Sequence, residues 1–363
     1  MEPEARPVPP EFAQALRELG LAAADEVLAG AALTGGVSSD IWRIQTRRGS
    51  VCAKRALGRL RVAADWRAPI ERNQYEARWM RVAQAAVPGA APRVLGQHAA
   101  LGVLVMEYLP PGAHALWKEQ LRRGLAEPAT AAAVGRTLVR IHAHSAARAA
   151  ELAPQFDTDR IFFDIRLEPY LVATAKRHPD LAPALQALVA QTQGHPLALV
   201  HGDVSPKNIL VATGAGADAR PVLLDAECAW WGDPAFDLAF CLNHLLLKGL
   251  WLPPALTTLT ALEACFAALA AAYLEGVDWE PRAAIEQRAA ALLPGLLLAR
   301  VDGKSPVEYL DQLAQHETVR RVARALLAQP VPTLAEVSRA WQQDLRDGAH
   351  SPAQPPEPDD PPA

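Results

Sequence analysis

Apolar and polar positions follow two different patterns along the chain, and the change falls near residue 110. Before that point, short apolar runs separated by turns predict strands at residues 41–44, 50–54 and 102–106. A segment at about residues 70–85 is rich in Glu, Arg and Trp and predicts one helix inserted among these strands. The first part of the chain is therefore predicted to form a small β-rich unit.

After Pro111 the pattern is mostly helical, with one β-rich insert. The spacing of apolar residues predicts helices at residues 128–144, 183–193, 256–274, 282–298 and 307–328. The insert contains short apolar runs that predict strands at residues 198–200, 209–211 and 222–224. A small strand-rich lobe followed by a larger helical lobe predicts a bilobal α+β fold with a site in the cleft between the lobes.

The two ends of the chain differ from its body. Residues 1–10 include four prolines, and residues 347–363 are rich in proline and acidic side chains with almost nothing apolar to bury. Both segments are predicted to be disordered. Between them we expect an N-lobe at residues 11–109 that binds nucleotide and a C-lobe at residues 110–346 that carries catalysis and acceptor binding.

Composition narrows the class of protein. Lys plus Arg (36) nearly balances Asp plus Glu (40), which argues against a protein that coats nucleic acid or an anionic membrane. The longest apolar run, at residues 255–274, is interrupted by Glu263 and several Thr, so it predicts a buried helix rather than a membrane span. No secretory signal is visible at the N-terminus. We therefore predict a soluble cytoplasmic protein.

The strongest chemical signal is the segment at residues 201–208, which lies directly between two apolar strands. A loop held by strands on both sides keeps its polar side chains at fixed separations, as catalysis requires. Asp203 and Asn208 are five residues apart, so a carboxylate and an amide oxygen can face each other across the loop. This arrangement suits a group that accepts a hydroxyl proton beside a group that holds a divalent metal.

Asp225 directly follows the predicted strand at residues 222–224. A carboxylate that leaves such a strand needs a partner when it is buried, and Mg²⁺ is the usual partner in such a position. The alternative is that Asp203 and Asp225 are only turn or capping residues. Their order and their shared context, each after an apolar strand, favour the metal and catalytic roles.

Two features of the N-lobe could contact phosphate. Gly35 and Gly36 lie between two predicted strands, where glycines let backbone N–H groups approach phosphate oxygens and the hydroxyls of Ser38 and Ser39 can add donors. An ordinary hairpin turn is the alternative for this segment. Lys54 lies inside an apolar strand, and an inward-facing lysine needs an anion such as phosphate or a helix glutamate.

The loop at residues 201–208 resembles the catalytic loop of aminoglycoside phosphotransferases, choline kinase and their relatives, which share the protein-kinase fold. The resemblance extends over about residues 30–310, with the motifs in the family's order. It implies ATP as phosphoryl donor, Asp203 as catalytic base, and Asn208 and Asp225 as Mg²⁺ ligands. Ser205 departs from the family, which usually has His there, whereas protein kinases have Lys.

The same resemblance implies roles in the N-lobe. Lys54 would contact the α- and β-phosphates and pair with a helix glutamate, for which Glu76 is the first choice and Glu71 the second. An exposed salt bridge is the alternative for either glutamate. Glu107 and Leu109 resemble the hinge, whose backbone groups bind adenine, although an ordinary strand end would explain them as well.

Three features bear on the acceptor. Asp225-x-Glu227 resembles the metal motif of methylthioribose kinases, whereas most relatives have Asp-x-Asp, and it makes Glu227 a further candidate ligand. Trp230 and Trp231 could form an apolar wall for a sugar, or could simply pack the lobe. Arg300 lies in a segment that resembles the substrate-contacting arginine segment of those kinases, and a buried ion pair is the alternative. Asn208 is a difference, because methylthioribose kinases lack that asparagine.

Together these features predict an enzyme that uses ATP and Mg²⁺ to phosphorylate a hydroxyl of a small molecule, a sugar-like or amino-alcohol metabolite. One alternative is an aminoglycoside antibiotic O-phosphotransferase, but a polycation would call for an acidic pocket that the sequence does not show. A second alternative is a catalytically silent, nucleotide-binding regulatory protein. The short interval between Asp225 and Asp237 argues against a protein kinase. The sequence leaves the oligomeric state open.

Overall fold

The computed structural model describes residues 6–33, 39–58, 69–213, 220–251 and 256–350, with only the backbone for 256–258 and 348–350. The strands are β1 (Arg6–Pro7), β2 (Ala29–Ala32), β3 (Ser39–Thr46), β4 (Gly49–Ala56), β5 (Val94–His98), β6 (Val103–Glu107), β7 (His114–Leu116), β8 (Ala198–Val200), β9 (Ile209–Ala212), β10 (Val222–Leu223) and β11 (Trp230–Gly232).

The helices outnumber the strands and lie mostly after β6. They are α1 (Pro10–Glu18), α2 (Arg72–Ala86), α3 (Trp117–Arg122), α4 (Pro128–Ala146), α5 (Ala149–Leu152), α6 (Asp159–Phe162), α7 (Ala173–Arg177), α8 (Ala182–Gln193), α9 (Ala235–Trp251), α10 (Leu256–Glu275), α11 (Arg282–Asp302), α12 (Leu313–Ala328) and α13 (Leu334–His350). A π-helix spans Phe163–Val172, and 3-10 helices span Ala153–Gln155 and Pro206–Asn208.

The N-lobe is a six-stranded antiparallel sheet in the order β1-β2-β3-β4-β6-β5. Successive side chains of a strand point to opposite faces, so β4 places Ala53 in the cluster that packs against Phe12 of α1 and turns Lys54 to the other face. That second face is covered by α2, where Lys54 meets Glu76. The strand pattern thus decides on which side of the sheet the lysine lies.

The C-lobe is mostly helical and holds the main hydrophobic core, to which α4, α9, α10 and α11 all contribute. Two small sheets, β10-β9-β7 and β11-β8, also belong to this lobe. The segment at residues 201–208 connects β8 of one small sheet to β9 of the other. The predicted bilobal α+β architecture is confirmed, and the chemistry-bearing loop lies where the two lobes meet.

Three expectations about element boundaries need correction. Residues 6–10, predicted to be disordered, include β1, which pairs with β2, and the first residue of α1. Proline suits the first turn of a helix because its missing N–H has no partner there in any case. The helix expected from residue 307 begins at Leu313, and α13 continues to His350, past the predicted boundary at residue 346. Among the described residues, no helix has the length and apolarity needed to cross a membrane.

Candidate active site

The start of α9 holds the loop at residues 201–208 in place through hydrogen bonds to the loop backbone. Asp237, in the first turn of that helix, accepts hydrogen bonds from the backbone N–H groups of His201 (2.7 Å) and Gly202 (2.8 Å). Gly202 has a φ of +80°, and a Cβ there would lie 2.8 Å from the carbonyl oxygen of Cys228. Glycine is therefore required where the loop presses against this neighbouring segment. Asp237 therefore braces the loop through two backbone N–H groups.

Asp237 belongs to a buried polar chain that reaches into the helical core. His142 Nε2 lies 3.2 Å from the Asp237 carboxylate, and His142 Nδ1 lies 2.7 Å from the Tyr273 hydroxyl. Every member of this chain is buried and has a partner, so the carboxylate that positions the loop is itself held in place. Asp237 therefore acts through the loop rather than on a ligand.

His201 fixes the loop from inside. Its Nδ1 accepts a hydrogen bond from the N–H of Asp203 (3.1 Å), which leaves Nε2 to donate to the carbonyl of Leu224 (3.1 Å). Its ring meets the edge of Trp79 at 4.6 Å between centroids. Burial lowers the pKa of His201 below its usual value, so the ring is a neutral structural link between the two loops that carry Asp203 and Asp225.

Asp203 lies in the cleft with 6% of its surface exposed. One carboxylate oxygen, Oδ2, lies 3.0 Å from Arg166 Nη2 and 3.3 Å from Lys207 Nζ. Arg166 also donates to the carbonyl of Gly202, so it fixes both the side chain and the backbone of the loop. Among the described residues nothing bonds to the other oxygen, Oδ1. That oxygen is therefore available to an incoming hydroxyl.

Asn208 ends the 3-10 helix that follows Asp203. Its Nδ2 donates to the backbone carbonyl of Asp203 (3.1 Å), so its amide oxygen points away from the loop. An amide oxygen presented in this way is a suitable ligand for a hard cation. The structure thus brings Asp203 and Asn208 together as the five-residue spacing predicts.

Asp225 has a strained backbone. Its φ of +68° lies in the left-handed region, and it is the one non-glycine residue with positive φ among those described. Such strain persists where surrounding structure enforces it, and it is common at functional sites. Burial acts to raise the pKa of Asp225, but the positive charges of Lys54 and Lys207 outweigh it and hold that pKa well below its usual value.

Lys54 joins the two lobes. Its Nζ lies 2.8 Å from Glu76 Oε2 on α2 and also contacts Oδ1 of Asp225. Burial raises the pKa of Glu76 to about 7, although the charge of Lys54 opposes that shift. The structure brings together Lys54 and the predicted Glu76, in a buried pair rather than an exposed salt bridge. Glu71, the second choice, has no such contact with Lys54.

Glu227 turns toward the N-lobe. Its Oε2 lies 3.0 Å from Nε of the fully buried Arg72 at the start of α2 and 3.9 Å from Lys54 Nζ. The side chain thus ties the segment after β10 to α2. Asp225 has 29% of its side chain exposed and Glu227 has 9%, so Asp225 is the more accessible of the two carboxylates.

The predicted phosphate loop is described only at its end. Gly35, Gly36 and Ser38 lie outside the described residues. Ser39 opens β3 and is buried, and its hydroxyl has no hydrogen-bond partner among the described residues. A buried hydroxyl without a hydrogen-bond partner is unusual in a folded protein. A bound ligand would supply the partner that the Ser39 hydroxyl lacks.

The predicted hinge follows the end of β6. The N–H of Glu107 donates to the carbonyl of Arg93 (3.0 Å), and its carboxylate accepts from the N–H of Arg93 (2.8 Å). The backbone N–H of Glu107 is already hydrogen-bonded. Its backbone carbonyl oxygen is therefore the group that would contact adenine. Leu109 follows in the connection to the C-lobe and is half-buried.

Trp230 and Trp231 are core residues. Trp230 stacks on Phe162 with ring centroids 4.1 Å apart and donates from its indole N–H to Asp159. Trp231 donates to the carbonyl of Pro196 (3.0 Å). Both are buried in β11, and the packing alternative accounts for their contacts. The aromatic pair resembled a ligand site because the sequence does not show which side chains surround it.

Arg300, near the end of α11, is also buried. Its Nη1 donates to the Tyr170 hydroxyl (2.8 Å) and to the carbonyl of Ser305 (2.6 Å). No carboxylate pairs with it among the described residues, so the ion-pair alternative fails. Its Nε has no hydrogen-bond partner in the part of the chain that the structure describes. The guanidinium is thus held in place through Nη1, with its buried Nε–H unused.

Arg166 and Lys207 are site residues that the sequence analysis missed. Lys207 is four residues after Asp203 in the loop already identified, so its proximity could have been inferred from spacing. Arg166 lies in the π-helix and reaches Asp203 only through the packing of the C-lobe. No local signal marks it.

The donors around the cleft fit a magnesium ion held jointly with phosphates. Mg²⁺ prefers oxygen ligands and commonly binds through one or two protein side chains together with substrate phosphates and water. Asn208 offers an amide oxygen and Asp225 a carboxylate. Among the described residues, no cluster of three or more His, Cys, Asp or Glu side chains forms a closed metal cage.

The two lobes and the ion pair that joins them define a protein-kinase-like fold. The model of the APH phosphotransferase enzyme family matches residues 30–285, and the chain belongs to that family.

The chain is similar to methylthioribose kinases. It is 26% identical to that of Cronobacter sakazakii over 63% of this chain, and 29% identical to that of Pectobacterium atrosepticum over 56%. The matches span 62% and 55% of the length of those kinases, which is less than two thirds. A crystal structure from Ralstonia eutropha, assigned to the aminoglycoside phosphotransferases, has the same fold with a TM-score of 0.50 and 14% identity. It covers 93% of this chain and 99% of that one.

Proposed function

We propose that this protein transfers the γ-phosphoryl group of ATP, with Mg²⁺, to a hydroxyl of a small molecule. The observation that carries the proposal is the position of Lys54, which bridges Glu76 of α2 and Asp225 of the C-lobe beside the Asp203 loop. A cation fixed between a helix glutamate and a metal-binding carboxylate is the arrangement by which kinases hold ATP phosphates. Family membership agrees with this reaction.

Asp203 is the group proposed to receive the proton of the acceptor hydroxyl. Oδ2 is fixed by Arg166 and Lys207, so Oδ1 can be directed at the hydroxyl without further reorganisation. Holding the hydroxyl in line with the γ-phosphate supplies much of the catalysis in phosphoryl transfer. Arg166 and Lys207 are positioning residues in this scheme, because they act through the Asp203 carboxylate.

Lys54 is proposed to contact the α- and β-phosphates, with Glu76 keeping its ammonium in place. The free hydroxyl of Ser39 is suited to donate to a phosphate oxygen. Asn208 and Asp225 are the residues proposed to hold Mg²⁺, which when bound neutralises charge on the phosphate oxygens. Lys54 would leave Asp225 for the phosphates when the nucleotide binds, which frees that carboxylate for the metal.

The acceptor is proposed to be a sugar-like hydroxylated metabolite, in keeping with the likeness to methylthioribose kinases. An aminoglycoside is not favoured, because a polycation needs acidic side chains around the acceptor. The charged side chains near Asp203 are instead Arg166 and Lys207, with Arg300 farther along the same side of the lobe. A cytoplasmic location stays a prediction from the sequence.

An acceptor panel tests the proposal. Release of ADP would be followed with ATP and Mg²⁺ in the presence of 5-methylthioribose, other free sugars, homoserine, choline and kanamycin, with and without a chelator of divalent cations. We expect ADP release that depends on the presence of one of these acceptors and that the chelator abolishes. The regulatory alternative predicts ATP binding without acceptor-dependent release for any compound, and that result would contradict the proposal.

A further inference from the structure

Lys248 is a buried lysine without an ionic partner. It lies in the last turn of α9 with 1% of its surface exposed, and its ammonium forms no hydrogen bond or ion pair among the described residues. A buried charge is costly unless it is paired, so isolated lysines of this kind are rare in protein cores. Residues 252–258, which follow it in the chain, carry no ionisable side chain. This stretch of the sequence therefore offers no counter-charge for the ammonium.

Two aromatic rings flank this ammonium. Nζ lies 3.5 Å from the ring centroid of Tyr309 and 3.8 Å from that of Trp251. Ring faces attract cations, which compensates part of the lost hydration. The compensation is incomplete, because burial, with a further contribution from the charge of Lys118, lowers the pKa of Lys248 to about 7. An anion beside the ammonium would restore its charge.

The charged side chains that act on Lys248 are Lys118 and Arg300, which are positive, and Glu308 and Glu119, which are negative. Lys118 lies 6.0 Å from the same two rings and is paired with Glu308, so that carboxylate is already used. Glu119 is the other acidic side chain that acts on Lys248. Arg300 has no carboxylate partner and keeps one buried N–H unused. This side of the C-lobe therefore carries more positive than negative charge, most of it buried.

A continuous row of contacts links Lys248 to the catalytic aspartate. Phe240, His244 and Lys248 are spaced four residues apart on α9 and so lie on one face of that helix. The guanidinium of Arg166, which binds Asp203, lies 5.7 Å from the ring of Phe240. His244 contacts both the Phe240 ring and the Tyr309 hydroxyl. Eight residues of helix extend about 12 Å.

We propose that Lys248, assisted by Arg300, binds an anionic group of the acceptor, so that the acceptor is a hydroxylated small molecule carrying a carboxylate or a phosphate. The inference rests on the proposed function and narrows its substrate class. In this arrangement the reacting hydroxyl of the acceptor lies at Asp203 and its anionic group lies at Lys248. A cationic acceptor such as an amino alcohol does not fit, because the ring pair already holds the protein's own ammonium.

Binding measurements test the anion site without requiring turnover. Calorimetric titrations with gluconate, glucose 6-phosphate and the neutral polyol sorbitol would be made on the full chain saturated with ADP and Mg²⁺, so that phosphate groups cannot enter the nucleotide side. We expect at least one anion to bind at least tenfold more tightly than sorbitol. The preferred anion then distinguishes a carboxylate acceptor from a phosphorylated one.

Two variants show whether the preference for anions depends on Lys248. Lys248→Met removes the buried ammonium, and Lys176→Met is the matched control, because Lys176 is an exposed lysine on α7. We expect Lys248→Met to lose the anion preference at least tenfold and Lys176→Met to keep it. Thermal unfolding of each variant shows whether it is folded, and Arg300→Gln serves as a second variant with a smaller expected loss. Equal binding of anions and sorbitol, or an unchanged preference in a folded Lys248→Met, would overturn the inference.

Turnover separates this inference from the proposed function. Phosphorylation of neutral acceptors at least as efficient as that of their anionic counterparts would contradict the anion site while leaving the kinase proposal intact. Anion binding that depends on Lys248, without ADP release for any acceptor, would support the site and contradict the kinase proposal.

Discussion

The two sides of the cleft have opposite excess charge. On the nucleotide side, Glu76, Asp225 and Glu227 surround two cations, Lys54 and Arg72, so negative charge is in excess. On the proposed acceptor side, Lys118, Lys248 and Arg300 stand against two carboxylates, Glu119 and Glu308, of which Glu308 is paired with Lys118. A site that binds a metal ion gains from excess negative charge, and a site that binds an anion gains from excess positive charge.

The comparison also concerns rigidity. The carboxylates of the nucleotide side are linked by hydrogen bonds across both lobes, from α2 to the segment after β10. The cations of the acceptor side rest mainly against aromatic rings and keep polar atoms unused. The first network is proposed to be completed by a metal ion and a nucleotide, and the second by an anionic counter-charge. The difference predicts that mutations on the two sides have different consequences for stability.

The largest combined effect on turnover and stability is expected from Lys54→Met. Turnover should fall about 10²–10³-fold, because the phosphates lose a fixed cation in a site that excludes water. The free energy of unfolding should fall as well, by roughly 3–5 kcal/mol, because Glu76 stays buried without its partner. Steady-state kinetics and denaturant unfolding measure the two effects separately.

The double variant Lys54→Met with Glu76→Gln separates charge balance from catalysis. It should recover part of the lost stability, since Glu76 is no longer a buried carboxylate without its cation, while turnover stays as low as in Lys54→Met. Recovery of turnover in the double variant would mean that the single variant lost activity only through damage to the fold. That result would break the assignment of Lys54 to the phosphates.

A smaller effect is expected from Trp230→Phe, because Trp230 belongs to neither of the two charged regions of the cleft. The ring can still stack on Phe162, but the hydrogen bond to Asp159 is lost, so stability should fall by about 1–3 kcal/mol. The KM for the acceptor should change less than twofold. A tenfold rise in the KM for the acceptor with unchanged stability would show that Trp230 contacts the acceptor.

Much of the nucleotide side could be predicted because its residues follow local rules. The loop containing Asp203 and Asn208 is bounded by apolar strands, and strand alternation determines which face of the sheet receives Lys54. Glu76 follows from the position of the helix after β4. In each case a short stretch of sequence determines both the element and the direction of the side chain.

The other features depend on contacts between distant parts of the chain. Arg166 reaches Asp203 across 37 residues of sequence, and Arg72 meets Glu227 across 155. Lys248 looks like an ordinary lysine at the end of a helix, where such residues are favoured. Its burial becomes visible only when α11 and the segment containing Tyr309 pack against α9. Spacing along the sequence carries no signal for contacts of this kind.

The most direct test of the account is a comparison of wild type with Asp203→Asn. Acceptor-dependent phosphoryl transfer and ATP affinity would be measured on the same samples. Asparagine keeps the size and the hydrogen bonds of the side chain but cannot accept the proton, so we expect turnover to fall by about 10²–10⁴-fold with ATP affinity changed less than about twofold. Turnover that survives the substitution would show that Asp203 is not the base and would contradict the account.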